Sequence, residues 1–153
     1  MGMAAGVVWY TLCVRILSID APGTRRGGYV FEDSDGSLTF GEIEVDPTKP
    51  ERQDYLQLYR LLQQYLPELL IIERPFLHII AGKIGGLKMG AAVLGIPYWE
   101  INPSRAKVLV FGKGRGRADK KEVKHWAETT LNRKLSQHCA DSYLYLRAYH
   151  LAT

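Results

Sequence analysis

The sequence contains little cysteine: Cys13 and Cys139 are its only two, and they lie far apart in 153 residues. Disulfide-dependent secreted domains carry several closely spaced cysteines, and structural zinc sites use cysteine pairs about two to four residues apart. Neither pattern is present. Because a chain of this length buries about two thirds of its unfolded surface, an apolar core can stabilise it without cross-links. We therefore expect a reducing compartment.

Long apolar segments are also missing. Residues 1–14 carry no charge and are mostly apolar, but a helix crossing a bilayer needs about 20 residues. The stretch lacks the basic start and the small-residue cleavage site of a signal peptide. We interpret residues 1–13 as an apolar N-terminal extension, or as the product of an upstream start codon, rather than as a targeting segment. We expect no association with a membrane.

Basic residues are in modest excess and are unevenly distributed. The chain has 20 Lys and Arg against 16 Asp and Glu, a formal net charge of +4, and its pI is about 9.1. Segment 105–125 alone carries eight basic residues against Asp119 and Glu122, a net +6, so the rest of the chain is slightly acidic. A concentrated basic segment is typical of proteins that bind nucleic acid or another polyanion.

Hydrophobic periodicity predicts an α/β protein with a mixed sheet. Short apolar runs end at Asp20 and Glu73, and strands at 29–32 and 38–45 flank the turn sequence DSDG, which indicates an antiparallel meander of the first three strands. Residues 23–28 hold three glycines and are predicted as a turn. Helices are predicted at 52–66, 79–94, 119–135 and 136–151, with a fifth strand at 97–101 and a short helix capped by Asn102. That short helix aside, the order is βββ-α-β-α-β-α-α, and we expect residues 1–153 to form a single domain.

The predicted helix over 79–94 is unusually rich in glycine. It contains Gly82, Gly85, Gly86 and Gly90, which together cost about 4 kcal/mol of helix propensity relative to alanine. Such a helix gains from a close approach of another backbone. That partner is either a second copy of the chain or the protein's own sheet, and the sequence does not favour one over the other.

Four polar side chains are predicted to meet near the end of the sheet. Asp20 and Glu73 each end an apolar strand, and ligands of open α/β sheets bind at the carboxyl ends of the strands. His138 and Asp141 are three residues apart on the last helix and share one face. A cluster of this kind can hold the two divalent ions used for phosphodiester cleavage, such as Mg²⁺. Taken singly, each residue is more often a solvated surface group.

Four segments resemble, in the same order, the motifs of the RuvC family of Holliday-junction resolvases. They are ILSIDAPGTRRGGYVF, LLIIERPF, the basic pair SRAKVLVFGKG and ADKKEV, and HCADSYLYLRAY. The resemblance covers about residues 14–150. The sequence departs from the family by one extra residue after Asp20 and by a longer, arginine-richer loop at 112–118.

The resemblance implies a ribonuclease H-like fold with a mixed five-stranded sheet flanked by helices. It also implies a homodimer that resolves four-way DNA junctions by symmetrical phosphodiester cleavage during recombination and repair. Asp20, Glu73, His138 and Asp141 would be the catalytic residues, holding two Mg²⁺ ions per site, with Mn²⁺ as an alternative. His138 stands where many members of the family have Asp.

The resemblance further implies a set of DNA-binding residues. Phe76 matches a phenylalanine that stacks on a base near the junction crossover, and its alternative role is that of an ordinary core aromatic. Lys107 and Lys120 match lysines assigned to the DNA backbone and to active-site electrostatics. The remaining members of the predicted set are Arg105, Lys113, Arg115, Arg117 and Lys121.

Three alternatives remain open at this stage. One is a ribonuclease H-like nuclease acting on other branched DNA or on RNA, as in YqgF-like proteins. Another is a catalytically inactive DNA-binding module. A fragment of the actin-like ATPase fold is the third, although 153 residues leave no room for that fold's second lobe. The expected location is the bacterial cytoplasm, with a phage-encoded protein as the other case.

Overall fold

The structure is a computed structural model that describes residues 14–75 and 78–153. The predicted extension at 1–13 and the predicted base-stacking residue Phe76 lie outside this part of the chain. The elements are, in order, β1 (Ile16–Asp20), β2 (Arg26–Glu32), β3 (Leu38–Glu44), α1 (Glu51–Tyr65), β4 (Leu69–Glu73), α2 (His78–Leu94), β5 (Tyr98–Ile101), α3 (Pro103–Phe111), α4 (Lys120–Leu131) and α5 (Gln137–Ala152).

The strands form one mixed sheet in the order β3-β2-β1-β4-β5. β1, β2 and β3 pair antiparallel, which confirms the predicted meander, and Gly36 in the β2–β3 turn has a φ of +85°. β4 pairs parallel with β1 on one side and with β5 on the other. The predicted mixed five-stranded sheet is therefore confirmed.

Helices cover both faces of the sheet and bury two separate apolar clusters. α1 and α2 pack on the face that receives Leu17, Ile19 and Ile72. α3, α4 and α5 cover the opposite face, which receives Ile16 and Ile71. Since side chains alternate along a strand, Ser18, Asp20 and Glu73 point to the second face. The hydroxyl of Ser18 donates to the carbonyl oxygen of Ser142, 2.7 Å away, and so ties β1 to α5.

The predicted turn at 23–28 was wrong at its C-terminal end, because β2 begins at Arg26. Gly27 and Gly28 lie within the strand and are required by close packing rather than by a turn. A Cβ atom at Gly27 would lie 2.4 Å from the carbonyl oxygen of Asp20, and one at Gly28 would lie 2.8 Å from the carbonyl carbon of His138.

The close approach predicted for the glycine-rich helix exists, but at three of its glycines the neighbour is a side chain of α1 rather than another backbone. The helix also packs on the protein's own sheet, and contact with a second copy of the chain stays a prediction. A Cβ atom at Gly82 would lie 2.8 Å from the Tyr55 hydroxyl, and one at Gly86 would lie 2.8 Å from the ring of the same tyrosine. Gly90 approaches Tyr59 in the same way. Aromatic side chains of α1, in the same chain, therefore fill these three positions.

The predicted end of α4 was wrong by four residues. The helix ends at Leu131 because Asn132 adopts a left-handed conformation, with φ of 51°, and its N–H bonds to the carbonyl oxygen of Glu128. The predicted start is confirmed, since the Asp119 carboxylate accepts the N–H of Glu122 at 2.8 Å. In the part of the chain that the structure describes, no helix has the length and hydropathy to cross a bilayer.

Candidate active site

The two strand-end carboxylates lie side by side at the edge of the sheet. Ile19 of β1 is paired with Ile72 of β4, so the next residues on the two parallel strands are Asp20 and Glu73. Both point toward α5. Asp20 is only 8% exposed and Glu73 9%. Buried acids of this kind carry a desolvation penalty unless a cation or a hydrogen bond compensates for it.

The last helix brings the other two predicted residues to this edge. The Ser136 hydroxyl caps α5 by accepting the N–H of Cys139, which places His138 and Asp141 in the first turns of the helix. Gly28 of β2 has no side chain and so lets the helix backbone at His138 pack against the strand. As a result, Nδ1 of His138 lies 2.8 Å from Oδ2 of Asp20.

One cleft of about 640 Å³ contains all four predicted catalytic residues. Asp141 is held within it by Gln137, whose side-chain amide donates to Oδ1 of Asp141 at 3.1 Å. Gln137 is four residues earlier on α5, one turn away, which the helical pattern alone could have indicated.

Burial and mutual repulsion raise the pKa values of two carboxyl groups in the cleft. Burial, followed by the charges of Asp20 and Asp141, raises the pKa of Glu73 to about 8. Burial and the Asp20 charge raise the pKa of Asp141 to about 6. The pKa of His138 is raised chiefly by its hydrogen bond to Asp20. Each shift favours an added proton, as expected where buried carboxylates lie close to one another.

The donor set fits a hard divalent cation, because it consists of three carboxylates and one imidazole. The side chains are not arranged to ligate one as they stand: within residues 14–75 and 78–153, no three His, Cys, Asp or Glu side chains form a group that could hold a metal ion. In this arrangement Oδ2 of Asp20 faces the ring of His138.

The predicted DNA-binding residues fall into three groups. Lys107 of α3 and Lys120 of α4 line the same cleft as the carboxylates. Arg105 is exposed and lies in a separate groove with Arg74. The others are exposed on the α3–α4 loop or at the start of α4, and they are Lys113, Arg115, Arg117 and Lys121.

The α3–α4 loop, residues 112–118, is not a free run of positive charge. The guanidinium of Arg115 forms an ion pair with the carboxylate of Glu122. The sequence had indicated a capping box in which Glu122 would support the start of α4, but this carboxylate instead neutralises one of the loop arginines.

Several residues at the cleft were not identified from the sequence. Thr24 and Arg25, on the β1–β2 loop, line the cleft, but the glycines around them had indicated only a turn. Tyr145 also lines it, and burial together with the nearby carboxylates raises the pKa of its hydroxyl well above the usual range. Tyr145 follows Asp141 by four residues on α5, so helical spacing could have found it.

The sheet order, the helices on both faces and the acids at the ends of β1 and β4 define a ribonuclease H-like protein. Among solved structures, Thermus thermophilus RuvC matches with a TM-score of 0.68 and 19% identity, over 90% of this chain and 93% of that one. A Holliday junction resolvase of fowlpox virus matches with a TM-score of 0.56 and 17% identity, over 90% and 98% of the two chains. At these identities the likeness establishes the fold.

Sequence comparison identifies the family. No model of a protein family matches the chain. The crossover junction endodeoxyribonuclease RuvC of Dichelobacter nodosus is 34% identical over 134 residues, which cover 78% of this chain and 74% of the relative. The RuvC of Syntrophomonas wolfei is 33% identical over 126 residues, covering 72% and 71%. The chain belongs to the RuvC family of crossover junction endodeoxyribonucleases.

Proposed function

We propose that this protein resolves four-way DNA junctions as a Mg²⁺-dependent endonuclease that cuts two strands symmetrically. The observation that carries the proposal is the adjacency of Asp20 and Glu73 on paired parallel strands, with α5 bringing Asp141 and His138 to the same cleft. The family supplies the substrate: a RuvC structure from T. thermophilus and a resolvase structure from fowlpox virus were each solved in complex with Holliday-junction DNA.

The four cleft residues would hold two divalent ions, Mg²⁺ or Mn²⁺. Such ions, when bound, supply charge for activating a water molecule and stabilising the leaving oxygen. The chain's own contribution is to fix the acids: strand pairing sets the Asp20–Glu73 spacing, and Gln137 orients the Asp141 carboxylate. His138 differs from the other three residues, because it adds a neutral or positive group where a carboxylate would add negative charge.

The basic residues have two proposed roles. Lys107 and Lys120 border the carboxylates and would contact the phosphate that is cut. The exposed residues would bind the phosphate backbone further along the DNA arms, and they are Arg105, Lys113, Arg115, Arg117 and Lys121. Base stacking by Phe76 stays a prediction from the family resemblance.

A second copy of the chain is needed for two symmetrical cuts, and a two-fold dimer provides it. We assign the interface to an apolar stripe on α2, consisting of Gly85, Met89 and Val93. Met89 is 68% exposed and Val93 66%, and a Cβ atom at Gly85 would meet no heavy atom within 4 Å. Spaced four residues apart, the three lie on one face of the helix, whereas Gly82, Gly86 and Gly90 face α1.

A panel of labelled substrates tests the proposed specificity. We expect cleavage with Mg²⁺ of a mobile four-way junction in preference to a flap, a linear duplex and an RNA–DNA hybrid. Preference for RNA or for the flap would favour a different branch of ribonuclease H-like nucleases. Junction binding without cleavage in either Mg²⁺ or Mn²⁺ would indicate an inactive DNA-binding module. Cytoplasmic location, bacterial or phage-encoded, stays a prediction.

A further inference from the structure

A buried lysine holds the loop beside the catalytic cleft. Lys83 of α2 is only 7% exposed, and its Nζ donates to the carbonyl oxygen of Gly23 at 2.7 Å. Lysine is seldom buried to this extent unless it is paired, because removing an ammonium group from water is costly. The partner in this case is the backbone of the β1–β2 loop, residues 21–25.

This loop connects the catalytic acid to the next strand. It begins directly after Asp20, and its backbone is tied at two further points: the N–H of Gly23 donates to the carbonyl oxygen of Arg26, and the N–H of Val45 donates to that of Arg25. Lys83 anchors the loop from the other layer of the protein, by a side chain of α2.

The loop presents two polar side chains to the cleft. Thr24 and Arg25 are exposed and line the same cleft as the carboxylates. A hydroxyl and a guanidinium are suitable donors to phosphate oxygens. Lys83 is not among the residues lining that cleft, so any influence it has on the substrate passes through the loop.

We propose that Lys83 is a positioning residue, which fixes the β1–β2 loop so that Thr24 and Arg25 bind the DNA backbone next to the carboxylates. The inference rests on the proposed function. It assigns a role to a residue on the far side of the sheet from α5, and it makes Thr24 and Arg25 part of the DNA-binding surface.

A double-mutant cycle on junction binding tests this coupling. The dissociation constant of a fluorescent four-way junction is measured in EDTA for the wild type, for Lys83→Met, for Thr24→Ala/Arg25→Ala, and for the combination. We expect Lys83→Met and the loop variant each to raise the dissociation constant about tenfold. The dissociation constant of the combined variant should be within about twofold of that of the loop variant.

The controls separate positioning from a general loss of structure. Lys88→Met removes a lysine of the same helix that pairs with Glu100, and we expect it to change binding by less than about twofold. If Lys83→Met does not fold, Lys83→Gln replaces it, since the shorter side chain cannot reach Gly23. Two results would overturn the inference while leaving the proposed function intact. One is a combined variant whose loss of affinity equals the product of the two separate losses, and the other is unchanged binding by the Lys83 variant. Failure of the wild type to bind the junction would overturn both.

Discussion

His138 and Asp20 are in direct contact, with Nδ1 of the imidazole 2.8 Å from Oδ2 of the carboxylate. The two residues are separated by 118 positions in the chain, and their contact joins the last helix to the end of the first strand. The hydrogen bond raises the pKa of His138, which means that the protonated ring is stabilised beside the acid. A proton on His138 therefore partly offsets the negative charge of the cleft.

The first prediction concerns the stability of the metal-free protein as a function of pH. The pKa of Glu73 is raised to about 8 and that of Asp141 to about 6, so the folded state binds protons more tightly than the unfolded state. The raised pKa of His138 acts in the same direction. We therefore expect these groups to lower the free energy of unfolding as pH rises from about 4.5 toward 8.

Thermal unfolding in EDTA and in Mg²⁺ at pH 5 and pH 8 checks this. We expect Mg²⁺ to raise the melting temperature by several degrees at pH 8 and by much less at pH 5, where protons already neutralise the cleft. Glu73→Gln should remove most of the difference between the Mg²⁺ effects on melting temperature at the two pH values. A Mg²⁺ effect equal at both pH values would contradict the prediction.

A second prediction tests the packing of α5 on β2. In Gly28→Ala the new methyl group would lie 2.8 Å from the carbonyl carbon of His138 and 2.9 Å from the N of Cys139, so the helix must move. We expect a loss of about 1–3 kcal/mol in stability and, because the catalytic groups shift, a fall in junction cleavage of about 100-fold.

Denaturant unfolding and single-turnover cleavage measure the two effects. Gln63→Ala provides the stability control, because Gln63 is an exposed residue of α1 and alanine is at least as favourable as glutamine in a helix. Equal stability changes for the two alanine variants would show that α5 does not pack tightly at Gly28.

The α3–α4 loop leads to a third prediction, on the salt dependence of binding. Neutralising Lys113 and Arg117 should weaken junction binding and reduce the slope of log affinity against log salt concentration by about 1 for each lost phosphate contact. Arg115→Ala should have a smaller effect, because its guanidinium already pairs with Glu122. Arg60→Ala, on α1 at the opposite face of the sheet, is the control. A slope unchanged by the loop substitutions would exclude phosphate contacts there.

A fourth prediction concerns the proposed dimer. Met89→Glu places a charge in the apolar stripe, and we expect it to convert the dimer to a monomer in sedimentation experiments and to abolish paired cuts. Leu56→Glu is a matched control, because Leu56 is also an exposed apolar residue, 49% exposed on α1. A dimer that survives Met89→Glu, or one that dissociates equally in Leu56→Glu, would place the interface elsewhere.

Local sequence patterns predicted much of the fold. Alternation and turn residues predicted the meander, and the positions of Asp20 and Glu73 at strand ends predicted their meeting, because parallel neighbours expose their ends at one edge. Local sequence indicates a turn at Gly28, because the real cause of this glycine, the passage of α5 over β2, lies more than 100 residues away in the sequence. The contacts of Lys83 with Gly23 and of Arg115 with Glu122 depend in the same way on tertiary placement, which periodicity does not encode.

Mapping the cuts on an end-labelled four-way junction tests the central claim most directly. The measurement compares the wild type with Asp20→Asn and Glu73→Gln, in Mg²⁺ and in EDTA. We predict paired cuts at symmetrical positions on two opposing strands by the wild type in Mg²⁺, no cleavage in EDTA, and a loss of at least about 1,000-fold in both variants with junction binding retained. Cleavage by the wild type in EDTA would contradict the account. So would cleavage in Mg²⁺ by both variants at close to the wild-type rate.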